Sequence, residues 1–316
     1  MKIRLDCHTP IQKLEDEFFG NTIYVKRDDL LPLSFGGNKL RKALLFFEDI
    51  KRNGANCVIT YGSEKSNHCR VIANIAAVNN IPCYIISPNG TNGRSNNTEL
   101  ILMFGANIVK CQLHEVQETI NNQISHLRSL GYLPYFIQGG GHGDIGTQAY
   151  VEAYNEIVEY ERSQNISFDM IFHASGTGTT QAGLVCGNII NGHKKEIVGV
   201  SIARKNPRGK EIVIESVKSY LNGRKLKSEG ISENSIEFID DYIIDGYGTI
   251  NDSVIHTVKD IMIKECIPLD LTYTGKAFWG MKSYIRKKRI TNKNILFIHT
   301  GGTPLFFDNL GALLNG

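Results

Sequence analysis

Two periodicities alternate along the chain. Short apolar, β-branched runs fall at residues 22–26, 57–61, 83–87, 107–110, 135–138, 170–174, 197–202 and 295–299. Their length and composition predict buried strands. Longer stretches, with apolar residues recurring every three or four positions, lie between them at 38–52, 67–79, 97–104, 116–130, 146–160, 180–190, 254–266 and 276–286. These predict helices with one face buried. Strands alternating with helices predict a mostly parallel sheet covered by helices, an α/β fold. The polar stretch 205–235 breaks the rhythm and reads as helix plus surface loop.

Four strand ends run into glycine-rich or small polar loops that open a helix, at 61–68, 138–143, 175–183 and 299–304. In α/β sheets, ligands bind beyond the carboxyl ends of strands, so these loops are candidate sites. In Ser175-Gly176-Thr177-Gly178-Thr179-Thr180, converging amides, three threonine hydroxyls and a helix start suit a phosphate. The loop lacks a Walker lysine and the glycine spacing of a dinucleotide fingerprint, and a plain strand-to-helix turn is its alternative. Ser66-Asn67-His68 can hold a carboxylate, with Asn67 bonding a phenolic oxygen, or Ser66 can simply cap a helix. Tyr247 and Tyr273 sit in glycine-containing segments at loop–helix junctions, where a tyrosine can pack, stack on a flat ligand or donate a proton. Lys39 follows Gly36-Gly37-Asn38 at a helix start, a position that suits a buried, nucleophilic amine.

Length and composition narrow the function classes. A chain of 316 residues predicts two domains or lobes. Thirty-five basic residues against thirty-two acidic ones leave +3, too small a bias to imply nucleic acid. Seven scattered cysteines without a Cys-x-x-Cys fit a reducing cytosol and argue against a disulfide frame or zinc site. His68 and His142 have no partner histidines at metal spacing, so no metal is expected. The N-terminal residues lack an apolar leader, and no run reaches membrane-span length. A soluble cytoplasmic protein is expected, without nucleic-acid or membrane partners.

Taken together, the motifs resemble the pyridoxal-phosphate enzymes of the tryptophan-synthase-β type. Within them they resemble the D-cysteine desulfhydrase / aminocyclopropane-carboxylate deaminase family. The likeness is collinear from Thr9-Pro10 to Gly302. It includes Val25-Lys-Arg-Asp-Asp-Leu30, Gly36-Gly-Asn-Lys-Leu-Arg-Lys42, Ser66-Asn-His68, Thr177-Gly-Thr-Thr-Gln-Ala-Gly183, Gly246-Tyr-Gly248, Tyr273-Thr-Gly-Lys276 and His299-Thr-Gly-Gly302. The resemblance implies a two-lobed fold of type II, with a large domain from 1–43 plus 151–316 and a small one from 44–150. It implies pyridoxal 5'-phosphate as cofactor, a homodimer and a small amino-acid substrate. Lys39 would be the Schiff-base lysine and α-proton base. Asn67 would bond the ring's phenolic oxygen, and Thr177, Gly178, Thr179 and Thr180 would hold the phosphate. Ser66 would contact the substrate carboxylate or take part in catalysis, beside Lys65, Asn67 and His68, and Tyr247 and Tyr273 would line the site.

Thr274 stands where the deaminase branch carries a glutamate facing the pyridine nitrogen. Without that carboxylate the ring is a weaker electron sink, which favours a substrate with a good leaving group at Cβ. The resemblance therefore points to β-elimination from a substrate such as D-cysteine, with pyruvate, ammonia and sulfide as products. A deaminase, racemase or β-replacement enzyme of the same fold is the alternative, and a non-catalytic phosphometabolite-binding protein is another. Two departures keep the substrate open. Lys65 replaces a usual glutamine, and can face a second anionic group or pair with Glu64, while His142 lies in a loop that is usually Gly-Gly-Ser.

Overall fold

A computed structural model describes residues 7–89 and 95–315. The segment Met1–Asp6, read above as free of an apolar leader, lies outside the described residues. In chain order the strands are β1 (Ile11–Lys13), β2 (Thr22–Lys26), β3 (Cys57–Tyr61), β4 (Cys83–Pro88), β5 (Asn107–Cys111), β6 (Pro134–Ile137), β7 (Met170–Ser175), β8 (Glu196–Ser201), β9 (Glu237–Ile239) and β10 (Asn294–Ile298). The first helices are α1 (Asn38–Arg52), α2 (Asn67–Asn79), α3 (Asn96–Met103), α4 (Val116–Ser129) and α5 (Asp144–Gln164). They are followed by α6 (Thr179–Ile190), α7 (Arg208–Gly223), α8 (Asp252–Glu265), α9 (Thr274–Lys288), α10 (Thr303–Asp308) and α11 (Leu310–Asn315). The chain divides into two compact units.

The first unit spans Lys39–Gly146 among the described residues. Its four strands are all parallel, in the order β5-β4-β3-β6. Cys57 and Ile59 of β3 and Ile86 of β4 pack with Ile120 and Leu127 of α4, burying one face of the sheet. The polar stretch before α2 ends at Ser66, whose Oγ accepts from the amides of His68 and Cys69 at 3.1 and 3.5 Å. That cap starts the helix and fixes where the residues of its first turn lie.

The second unit joins Cys7–Asn38 to Thr147–Gly316. Its sheet runs β1-β2-β10-β7-β8-β9, with β1 antiparallel to β2 and the other pairs parallel. Strand side chains alternate between two cores, as the period of two requires. Ile23, Val25, Phe172, Val198, Ile295 and Phe297 face α8 and α9. Tyr24, Ile171, Ile197, Leu296 and Ile298 face α5, α6 and α7.

The charged run that follows β2 is buried, and each charge in it is matched. Lys26 Nζ donates to Glu156 at 2.5 Å and to Thr9 Oγ1 at 2.8 Å. Asp28 accepts from Thr9 Oγ1 at 2.8 Å and Tyr150 Oη at 2.7 Å, and Arg27 bridges to Asp29 at 2.8 Å. Removing one partner of such a network would leave a buried charge uncompensated, so the run is a structural anchor.

The crossing of α5 and α6 is tight at Gly183, where an added Cβ would lie 3.0 Å from Tyr150 Cα. Gly183→Ala is expected to destabilise the protein by about 1–3 kcal/mol through overpacking. At Gly311 an added methyl meets nothing within 4 Å. Gly311→Ala should be neutral or stabilising by up to about 1 kcal/mol. Denaturant midpoints of the two variants test the contrast.

Candidate functional site

In the first unit the chemistry gathers around the starts of α1 and α2. Lys39 is the second residue of α1, and its Nζ donates to the carbonyl of Gly140 at 3.0 Å. Burial draws its pKa down to about 8, with Cys69 nearby acting in the opposite sense. One turn on, Lys42 is almost fully buried and its Nζ has no hydrogen-bond partner among the described residues. Burial and then the charge of Lys39 push it well below the ordinary lysine range. Gly141 presses on its stem, where an added Cβ would lie 3.2 Å from Lys42 Cδ. Two amines and the glycine loop after β6 therefore share one small region.

Asn67 is oriented by its neighbours. Its Oδ1 accepts from Asn97 Nδ2 at 3.0 Å and Arg70 Nη2 at 3.5 Å, so Nδ2 is the group left to donate. Asn97 is fully buried and also donates to the carbonyl of Lys65 at 2.8 Å. Ser66 Oγ accepts from two amides and its side chain also hydrogen-bonds the Cys69 thiol. His68 is buried beside β3: Thr60 Oγ1 gives its proton to Ile137 O, so it accepts from His68 Nε2 at 2.8 Å. Burial, then Lys39 and Lys42, hold the imidazole well below its usual pKa and keep it neutral. Glu64 pairs with Lys110 of β5, and Lys65 is half-buried.

The second unit holds the remaining candidates. Thr177 and Gly178 end the loop after β7, with Gly178 at φ 87°, and Thr179 and Thr180 begin α6. Helices α2, α3 and α8 are capped by Ser66, Ser95 and Asn251, whereas α6 has no side-chain cap. The first intrahelical acceptor there is Gly178 O, bonded by Ala182 N, and this helix end carries partial positive charge. Asn38 Nδ2 donates to Thr180 Oγ1 at 3.1 Å, leaving the threonine proton to give away. The backbone of Asn38 is fixed as well, its N–H bonding Thr300 O at 3.0 Å. The residue before Lys39 is thus tied to the open helix end.

Tyr273 and Tyr247 meet hydroxyl to hydroxyl at 2.6 Å. Thr274, next to Tyr273, is fully buried and wired to Asp270. Its Oγ1 donates to Asp270 Oδ2 at 2.8 Å and accepts from Asp270 N at 2.9 Å. The same carboxylate accepts from the amides of Thr272, Tyr273 and Thr274 at 2.9, 2.7 and 3.1 Å. Burial raises the Asp270 pKa and these donors oppose the rise. The threonine proton is therefore committed, and Thr274 can meet any further partner only as an acceptor.

A model of pyridoxal-phosphate-dependent enzymes matches residues 5–301. The chain belongs to that family. Its relatives include the D-cysteine desulfhydrase of Serratia proteamaculans (strain 568), 32% identical over 312 residues, covering 95% of this chain and 92% of the relative. The D-cysteine desulfhydrase of Salmonella typhi is 34% identical over 309 residues, covering 95% and 93%. Among solved structures, an ACC deaminase homologue matches with TM-score 0.87 at 32% identity, over 98% of this chain and 95% of that one. A hydrogen sulfide-producing enzyme from Fusobacterium nucleatum matches with TM-score 0.64 at 18% identity, covering 93% of each chain, and shows the fold alone.

The family's cofactor needs an amine for its aldehyde, an anion cradle for its phosphate and donors for its ring oxygen. Each unit holds residues that fit part of this need: the first has the depressed amine of Lys39 and the Asn67 Nδ2 donor, and the second has the start of α6, without a side-chain cap. Lys42, Asn97 and Asp270 were not singled out from sequence. Lys42 reads as one more cation in a basic helix start, and Asn97 as one more polar residue near a helix end. Asp270 carried a usable signal, a carboxylate four residues ahead of Thr274 at the head of a helical pattern.

The neutral His68 sets a pH dependence. Its pKa is depressed in the folded protein, whereas the unfolded imidazole binds a proton near pH 6.5, so acid favours the unfolded state. Wild-type protein should lose thermal stability as pH falls through about 6.5, and His68→Gln should lose less over the same interval. Melting temperatures between pH 7.5 and 5.5, about a unit either side of that point, check this.

Proposed function

We propose that this protein is a pyridoxal-phosphate-dependent lyase that eliminates the β-substituent of a small amino acid, D-cysteine first. The observation that carries this reading is the Lys39 amine, drawn down to about 8 by burial and next in the chain to the anchored Asn38. Relatives named D-cysteine desulfhydrase, matched along 95% of the chain, support the substrate. Cysteine and one water would give pyruvate, ammonia and hydrogen sulfide.

Pyridoxal phosphate, when bound, supplies the electron sink for negative charge at the substrate's Cα. Lys39 would hold the cofactor through Nζ, and the same nitrogen, when free, would take the α-proton. Asn67 donates through Nδ2 to the ring's phenolic oxygen. Thr177, Gly178, Thr179 and Thr180 hold the phosphate with amides and hydroxyls at the open start of α6. Ser66 would contact the substrate carboxylate, with Lys65 adding positive charge beside it. Tyr247 and Tyr273 share a proton across their hydroxyl pair and deliver it to the leaving sulfide. Thr274 accepts a hydrogen bond at the ring nitrogen, its own proton being held by Asp270. The reading extends to a cytoplasmic homodimer. Seven free thiols support a reducing compartment, and sedimentation analysis tests the dimer.

One observation favours the deaminase alternative. A carboxylate, Asp270, stands one hydrogen bond behind Thr274 at 2.8 Å, so negative charge near the ring nitrogen is not absent, only relayed. Incubation with D-cysteine and with aminocyclopropane carboxylate separates the two. Pyruvate from D-cysteine alone supports the lyase, and 2-oxobutyrate from the cyclopropane supports the deaminase.

Holoprotein should be yellow, and Lys39→Ala should lose the covalent link, seen as failure of borohydride to fix the cofactor to the protein. Because the free Lys39 amine loses its proton near pH 8, the rate of cofactor attachment to apoprotein should rise with pH and level off above about 8. Stopped-flow absorbance measures that profile. A pH-independent rate, or a colourless protein that takes up no cofactor, would remove the enzyme reading.

A further inference from the structure

The first turn of a helix favours acidic side chains, because its open amide end carries partial positive charge. Helix α9 instead carries Lys276 as its third residue, fully buried. Its Nζ donates to the carbonyls of Ile243 at 3.0 Å and Gly246 at 3.2 Å. Those carbonyls bracket a backbone that local preference does not support. Ile244 sits at φ 66°, a left-handed conformation rare for a β-branched residue, and Gly246 and Gly248 are at φ 142° and 77°. Strained segments of this kind persist only where their surroundings over-determine them. Thr249 Oγ1 reaches the same two carbonyls, Gly246 O at 2.8 Å and Ile243 O more weakly at 3.4 Å, so both ends of the segment are tied from the loop's own side as well as by Lys276.

The residue carried by this loop is Tyr247. Its side chain is half exposed, and its hydroxyl meets that of Tyr273 at 2.6 Å with the rings edge to face at 5.9 Å. Tyr273 is held on the other side, its amide bonding Asp270 at 2.7 Å. One helix start thus grips both tyrosines, the second through its carboxylate cap and the first through its buried lysine.

We propose that Lys276 is a positioning residue, whose buried side-chain nitrogen clamps the 243–248 loop and keeps the Tyr247 hydroxyl paired with that of Tyr273. This rests on the role proposed above for the tyrosine pair. A lysine that merely fills space would be replaceable by methionine. A clamp would not, and its effect on turnover would pass through Tyr247 alone.

A double-mutant cycle separates these cases. In cofactor-loaded enzyme, kcat/KM for D-cysteine is measured for wild type, Lys276→Met, Tyr247→Phe and the double variant. Amide hydrogen exchange in 243–248 is measured on the same proteins. Lys276→Met should keep the visible cofactor band and speed exchange in that loop. It should lower kcat/KM by about tenfold to a hundredfold, and the double variant should fall no more than about twofold below Tyr247→Phe. Multiplying losses in the double variant, or unchanged exchange in 243–248, would overturn the proposal. If Lys276→Met does not fold, Lys276→Gln enters the same cycle under the same criteria. Wild-type turnover by Tyr247→Phe would instead defeat the reading of the tyrosine pair, while the exchange data would still decide whether Lys276 is the clamp.

Discussion

The candidate chemistry depends on a contact between two backbones. Gly37 and Gly301 meet so closely that a Cβ on Gly37 would lie 2.6 Å from Thr300 O, and one on Gly301 would lie 2.7 Å from Gly37 Cα. Both have positive φ, at 92° and 95°, which glycine alone adopts without strain. The contact brings Asn38 to the carbonyl of Thr300 and to the hydroxyl of Thr180. A single peptide bond then separates that anchor from Lys39. The residue that precedes Lys39 is therefore held by rigid backbone contacts.

Two ways of burying charge coexist in the molecule, and the difference between them marks the site. Lys26, Asp28, Glu156 and Tyr150 form a network in which each charge has a partner. Lys39 and Lys42 are buried next to one another with no carboxylate among the causes that shift them. A folded chain tolerates two such amines by letting them lose protons, and an incoming anion can restore them.

Much of this was legible in the sequence because local physics agreed with the fold. The spans read for α1 and α2 coincide with the helices found, since a glycine pair and a serine cap set their starts. Strands β1 and β9 escaped notice. Each has three residues at a sheet edge, too short for alternation to show. Helix α9 begins at Thr274, two residues before the span read from periodicity. Its first turn contains Gly275, and its cap, Asp270, lies outside the periodic pattern. Residue types near the site were visible as motifs, but hydrogen-bond direction was not. That Asn67 presents its amide and that Thr274 has already given its proton follow from partners 30 and four residues away.

The second unit is assembled from the two ends of the described chain, and this has a consequence for its synthesis. Strand β2, at residues 22–26, pairs along its whole length with β10 at 294–298. Lys26 likewise finds Glu156 only 130 residues later. A ribosome releases the contiguous stretch Lys39–Gly146 long before β10 exists, so that unit can collapse on its own sheet early. Strand β2 can pair with β1, and Lys26 with Glu156, well before β10 appears, but the other edge of β2 stays open until β10 is made. A nascent chain stalled short of residue 294 would thus leave the edge of β2 that β10 covers without its partner strand, an open template for pairing with other chains.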